Sequence, residues 1–376
     1  MLFSFLCLPL QVLLLTSLSY QTQVPGTLHR REYFFVGEHY VNTPGTNNGS
    51  EIAAGQVYVE HLVPATVTQA LPILMIHGHG MTGTNFLNTP DGRLGWADYF
   101  MGQGFEIYIV DQPSRGRSAW QIGVDGDQGD FDTTYIASHF TAPEKFNLWP
   151  QAALHTQWPG NGTSGDPTFD NFYASTMPSL VSDEESSIKV KAAVVPLLDK
   201  IGPVILLTHS QSGQYGWILG DARPSLVKTI IAVEPIGPPF INAVFPPLTP
   251  ARPFGLTEIP IAYSPPISSA SDLHIEVNPA LTNASLGTTC FRQVPPARQM
   301  ANLEGIPTLL VTSQAGYHAI YDNCTVDFLR TAGVPVTHVR LEDAGIMGNG
   351  HMMFMEKNAL EIAEKVILNY IQKTVR

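Results

Sequence analysis

Six short apolar runs limit this chain to few folds. They read "LPILMIHGHG", "FEIYIVDQPSRGRS", "GPVILLTHS", "VKTIIAVEP", "IPTLLVTS" and "VPVTHVRLED". Continuous apolar runs of this length suit strands covered on both faces rather than strands with one wet side. Helical patterns separate them. "SDEESSIKVKAAVVPLLDKIG" opens with Ser182 and Glu185 at capping-box spacing and carries a predicted stripe of Ile188, Ala192, Val195 and Leu198. Pro196 is expected to kink that helix. Near the C-terminus, Leu360, Ala363, Ile367 and Tyr370 are predicted to share one helical face. Strands alternating with helices predict an α/β fold, a doubly wound and mostly parallel sheet. Two β-rich segments, "REYFFVGEHYV" and "GQVYVEHLVP", precede it.

Two stretches break this rhythm. Residues from about 119 to 181 are rich in Gly, Asp, Trp and Phe, and residues from about 236 to 300 are rich in Pro. Both leave the C-terminal ends of predicted strands, where open α/β sheets bind ligands. Loops this long are usually functional. They are expected to form a cap on a single domain spanning residues 20–376.

The first residues, "MLFSFLCLPLQVLLLTSLSYQTQ", read as a signal peptide covering residues 1–19, with small residues before Tyr20 and no basic start. Sequons follow at Asn48, Asn161, Asn283 and Asn323. Cys7 leaves with the signal, and an oxidising compartment favours pairing Cys290 with Cys324. These features predict a secreted glycoprotein. The net charge of −12 disfavours nucleic acid and stable docking on anionic membranes. With no CxxC or His/Cys cluster, neither a metal nor a cofactor is expected.

"LLTHSQSGQYG" offers two serines as nucleophiles. A serine on a sharp strand-to-helix turn projects its hydroxyl into a pocket, and its neighbours two before and two after must be small. Around Ser210 those neighbours are Thr208 and Ser212; around Ser212 they are Ser210 and the bulky Gln214. Ser210 is therefore the predicted nucleophile, in a degenerate G-x-S-x-G with Thr and Ser in the glycine places.

A serine needs a base and a site for negative charge. The N–H of Gln211 is one expected oxyanion donor. "HGHGMTG" supplies the other, with His79 first and Gly80 next, while His77 is expected to brace the loop. Of 12 histidines, His351 alone sits on a glycine-rich loop between the last predicted strand and the C-terminal helix, where a base is placed in such folds. For the acid that orients it, Glu234 ends the apolar run after the nucleophile and is preferred. Asp322, deep in "SQAGYHAIYDNC" and expected to face solvent, is the alternative.

With "HGHG", "DQPSRGRS", "THSQSG" and "GNGH" in this order, the chain resembles the α/β-hydrolase superfamily from about Ile73 onward. More narrowly it is similar to secreted-type bacterial and fungal esterases with an H-S-Q nucleophile turn and a glutamate after strand six. His79-Gly80 departs from the small or sulfur-bearing pair that others carry there. The resemblance implies a serine carboxylesterase acting on a small-molecule ester through an acyl-enzyme. An acyl-transferring or cyclising enzyme of secondary metabolism is the second reading, and an inactive binding relative is the third. Dehalogenase and epoxide-hydrolase chemistry is disfavoured, because position 210 is not aspartate.

Overall fold

The computed structural model describes residues 26–46, 48–243, 248–283 and 288–375. The predicted signal peptide lies outside the described residues. The central sheet has eight strands: β1 (His29–Val36), β2 (Val57–Pro64), β3 (Ile73–Ile76), β4 (Ile107–Asp111), β5 (Val204–His209), β6 (Val227–Val233), β7 (Thr308–Thr312) and β8 (Val336–Arg340). Their order is β1-β2-β4-β3-β5-β6-β7-β8. The first two pairings are antiparallel and the rest parallel. All six apolar runs are strands. "GEHYV" instead enters a small hairpin, His39–Asn42 against Glu51–Ala54.

Helices α1 (Trp96–Gly102), α2 (Asp183–Ile201), α3 (Gly213–Ala222) and α4 (Asp322–Thr331) cover the sheet. A C-terminal run from Ala359 through Thr374 includes a π-turn. α1 and the C-terminal run pack with Ile205 and Leu207 on one face, and α2, α3 and α4 pack with Val204 and Leu206 on the other. Each fully buried side chain of this size contributes about 1.5–3 kcal/mol.

One predicted stripe was misphased, and the other erred at one position. The buried face of α2 is Val190, Ala193, Val194, Leu197 and Leu198, while Ile188 is exposed. In the C-terminal run the predicted Ala363 and Ile367 are buried and Tyr370 packs against the core, and Leu360 turns outward. Adjacent apolar stripes compete on such helices, and the sheet decides between them. Ser182 does cap α2, its hydroxyl accepting from the Glu185 N–H at 3.1 Å, and Pro196 lies inside the helix.

The described residues within 112–182 and 234–307 form the long excursions that leave the C-terminal ends of β4 and β6. Cys290 in the second is disulfide-bonded to Cys324 in α4. The four sequon asparagines are all exposed.

Candidate active site

β5 ends at His209, and Ser210 opens the turn into α3 with φ of +56°. That left-handed conformation is costly for a non-glycine residue and aims its side chain off the sheet edge. Close packing fixes the turn. A Cβ on Gly213 would lie 2.3 Å from Pro235 Cβ, and one on Gly78 would lie 3.0 Å from Ser210 Cβ. Ser212 points the other way and is fully buried. Its hydroxyl accepts from the His209 N–H at 2.8 Å and donates to the Ile76 carbonyl at 2.7 Å.

Glu234 follows β6 and is fully buried. Its Oε1 accepts from the Ser313 N–H at 2.7 Å and the Ser313 hydroxyl at 2.5 Å. Its Oε2 stands 2.6 Å from His351 Nδ1, so the imidazole carries its proton there and turns Nε2 outward as an acceptor. Burial, then the neighbouring His318 and His139, hold His351 well below the ordinary imidazole value and keep it neutral. Burial pushes the Glu234 carboxyl up, opposed by His318 and the Ser313 donors.

Asp322 is placed differently from expectation. It is buried, not solvent-facing, and its Oδ1 meets His318 Nδ1 at 3.1 Å while its Oδ2 accepts from the Thr312 hydroxyl at 2.7 Å. Apolar residues on α4 turn its first residue inward. The His318 ring lies parallel to His351 at 4.9 Å between centroids. Glu234, His318 and His351 are the described group close enough to grip a cation, yet its members are those whose hydrogen bonds orient the imidazole.

In the loop after β3, His77 bridges two chain segments. Its Nδ1 donates to the Gly78 carbonyl at 2.9 Å and its Nε2 accepts from the Gln112 N–H at 3.0 Å. Burial and then Arg115 bring it down to about 3, so it is neutral. Gly80 is a correction: its N–H donates to the Ser179 hydroxyl at 3.0 Å and is not free for a substrate oxygen. The first excursion supplies that serine, which the local sequence around Gly80 does not reveal. The His79 ring is held by Gln211 Nε2 at 3.2 Å and packs 5.1 Å from Phe131. Gln211 sits second in its turn, where a helix N–H has no partner within the helix. Arg115, within "DQPSRGRS", donates to the Gly78 carbonyl at 2.8 Å and to Gln211 Oε1 at 3.3 Å. It thus ties the β3 loop to the nucleophile turn.

These groups surround a cavity of about 240 Å³. Ser210, His351, Gly78, His79 and Gln211 form its floor, and Phe131, Tyr135, Phe140, Tyr317 and Tyr321 contribute aromatic wall. Asn242 and Ala243 join from the second excursion. Tyr317 had no signal in the local sequence beyond its place after β7.

The loop carrying His351 is anchored from below. Glu356, fully buried, accepts from the Gly350 N–H at 2.9 Å and from Asn349 Nδ2 at 2.7 Å. His155 of the first excursion contacts Glu356 Oε1 at 2.7 Å and Glu144 Oε2 at 2.9 Å. His209 Nε2 donates to the His351 carbonyl at 3.1 Å. Against the cost of burial, Glu356 and then Glu144 raise His155 to about 9. A raised folded-state value means this clamp stabilises fully below the unfolded value, near 6.5, and is lost as pH rises through about 9. The stabilisation is on the order of 3 kcal/mol. The melting temperature should fall across that window, and the fall should flatten in His155→Gln. An unchanged alkaline limb in that variant would remove His155 from the account.

The alpha/beta hydrolase family model matches residues 73–365. The chain is 48% identical over 346 residues to a protein named "Probable secreted lipase phiG" from a fungal species (strain ATCC 74256), covering 91% of this chain and 89% of that one. Its fold is similar to that of a bacterial esterase solved at atomic resolution, with a TM-score of 0.61 at 21% identity over 94% of this chain and 98% of that one. With this strand order, this extent of family match and this relative, the chain belongs to the alpha/beta hydrolase family.

Proposed function

We propose that the protein is a secreted serine carboxylesterase in which Ser210 is the nucleophile, His351 the base and Glu234 the acid that orients it. The observation that carries this reading is the 2.6 Å contact of Glu234 with His351 Nδ1, beside a serine on a positive-φ turn. Ser210 Oγ attacks the ester carbonyl carbon, His351 takes up the proton, and Glu234 stabilises the imidazolium. The N–H groups of His79 and Gln211 are the proposed donors to the oxyanion. Collapse expels the alcohol, protonated from His351, and water then hydrolyses the acyl-enzyme. Secretion is supported by the predicted leader, the exposed sequons and the name of the 48% identical relative. Among the described residues no helix is long and apolar enough to cross a membrane.

The two excursions act as a cap that limits the substrate. The cavity of about 240 Å³ lies below the ~300–1,000 Å³ usual for drug-sized ligands. This size favours short acyl groups over long fatty-acyl chains. Across p-nitrophenyl esters of rising acyl length, kcat/KM should peak at short chains and fall by about tenfold or more at long ones. A maximum at long chains would show that the cap opens into a lipase site, and no hydrolysis of any member would overturn the esterase reading.

A further inference from the structure

One peptide unit of the β3 loop is gripped from behind. The Gly78 carbonyl accepts from Arg115 Nη1 at 2.8 Å and from His77 Nδ1 at 2.9 Å. Every cis bond among the described residues precedes a proline, so the Gly78–His79 peptide is trans. In a planar trans peptide the C=O and the N–H point to opposite sides. The His79 N–H therefore faces away from those two donors, and it meets no acceptor among the described residues. Gly78 and His79 both line the cavity. The other arm of the same guanidinium, Nη2, donates to Gln211 Oε1 at 3.3 Å. Gln211 Nε2 in turn donates to Asp183 Oδ1 at 2.8 Å and lies 3.2 Å from His79 Nδ1. Arg115 thus holds the peptide that carries one proposed oxyanion donor and the side chain of the residue that carries the other.

The charge on this clamp is not balanced locally. Arg115 is buried, its two acceptors are neutral carbonyls, and its Nε–H meets no partner. It belongs to no ion pair among the described residues, whereas Arg117, two residues on, is paired with Asp111 and Glu60. Burial brings the guanidinium down to about 10, opposed by Tyr215, Asp183 and Asp111, so it remains cationic at neutral pH. Reciprocal backbone hydrogen bonds with Ser118, at 2.7 and 2.9 Å, fix the residue in that place. Burying a cation without a carboxylate against it is costly, and a neutral donor would tie the same two segments without that cost. Negative charge does appear in the adjoining cavity, on the substrate oxygen, each time a tetrahedral intermediate forms.

We propose that Arg115 is a positioning residue of the oxyanion site, aiming and polarising the His79 N–H and setting a fixed positive charge behind it. This rests on the serine-esterase reading above. A cationic donor on a carbonyl draws electron density out of the amide and strengthens the N–H on its far side. The bound ester carbonyl carries little charge and gains little from this, whereas the oxyanion gains fully. The bond changes stay as described: Ser210 Oγ attacks, His351 takes the proton, and the carbonyl π pair moves onto the oxygen. Arg115 exchanges no proton at any stage. It acts through alignment and field alone, so it should stabilise the transition state and leave substrate binding nearly unchanged.

The test compares wild type, Arg115→Met and Arg115→Lys on one short-chain p-nitrophenyl ester and on two ketones of equal chain length. A trifluoromethyl ketone adds to the serine and forms an oxyanion, while the methyl ketone binds as a neutral carbonyl. Arg115→Met should lower kcat about 10²-fold with KM within about threefold. It should weaken the trifluoromethyl ketone by about the same factor and the methyl ketone by less than about threefold. Arg115→Lys, which keeps the charge, should recover about tenfold of the loss. No loss, a loss shared equally by both ketones, or an equal loss in the Lys and Met variants would make Arg115 a structural tie and overturn the proposal. In wild type alone, fluorine NMR of the trifluoromethyl ketone adduct should show its hemiketal oxygen ionised at neutral pH. A neutral hemiketal there would overturn the proposal without any variant having to fold. Absence of a covalent adduct in wild type would refute the serine-esterase reading itself, whereas an adduct held equally well by wild type and Arg115→Met would refute only the role of Arg115.

Discussion

Ser210→Ala is expected to lose ester hydrolysis by roughly 10⁶-fold, while Ser212→Ala stays within about tenfold of the parent. The two serines are two residues apart and chemically identical, so only their placement separates them. Ser210 and His351 line the same cavity, and Ser210 stands on a strained turn of positive φ. Ser212 is sealed beneath, with its hydroxyl spent on the His209 N–H and the Ile76 carbonyl. Removing it frees one buried N–H and one carbonyl, which costs stability of about 1–3 kcal/mol rather than chemistry. Melting temperature and turnover measured on both variants separate the two effects. Loss of turnover in Ser212→Ala with an unchanged melting temperature would reverse the assignment.

Glu234→Gln is expected to fold and to lose about 10²–10⁴-fold in turnover, whereas Asp322→Asn should lose less than about tenfold. Glutamine can present an amide N–H to Nδ1 and so stabilise the wrong tautomer, in which Nε2 carries the proton and cannot act as a base. It also cannot balance the imidazolium in a fully buried site. Asp322 reaches His318 instead, and His318 touches His351 only through ring stacking. If the two variants exchange behaviour, the acid comes from the turn after β7 and the Glu234 contact is structural.

The sheet was legible because its strands are buried on both faces and therefore read as unbroken apolar runs. The proposed site residues were picked out for a related reason: Ser210, Glu234 and His351 each stand where an apolar run or its loop ends. Helix phase was less so. α2 has apolar residues on neighbouring stripes, and only the sheet selects Val190 and Ala193 over Ile188. Contacts made across the fold left no local trace. Nothing near Gly80 indicates that Ser179, far along the chain, occupies its N–H. Asp322 beside a sequon reads as surface, yet its own helix turns it under the sheet edge toward His318. The Glu144–His155–Glu356 clamp joins three segments that share no pattern.

The central claim is that Ser210, activated through His351, is the nucleophile. A fluorophosphonate probe reacts covalently with such a serine, and the labelled peptide can be sequenced by mass spectrometry. The predicted result is one adduct, on Ser210, formed in the parent and nearly abolished in His351→Ala. An adduct on Ser212 or Tyr317, or labelling of Ser210 that proceeds equally well without His351, would contradict it.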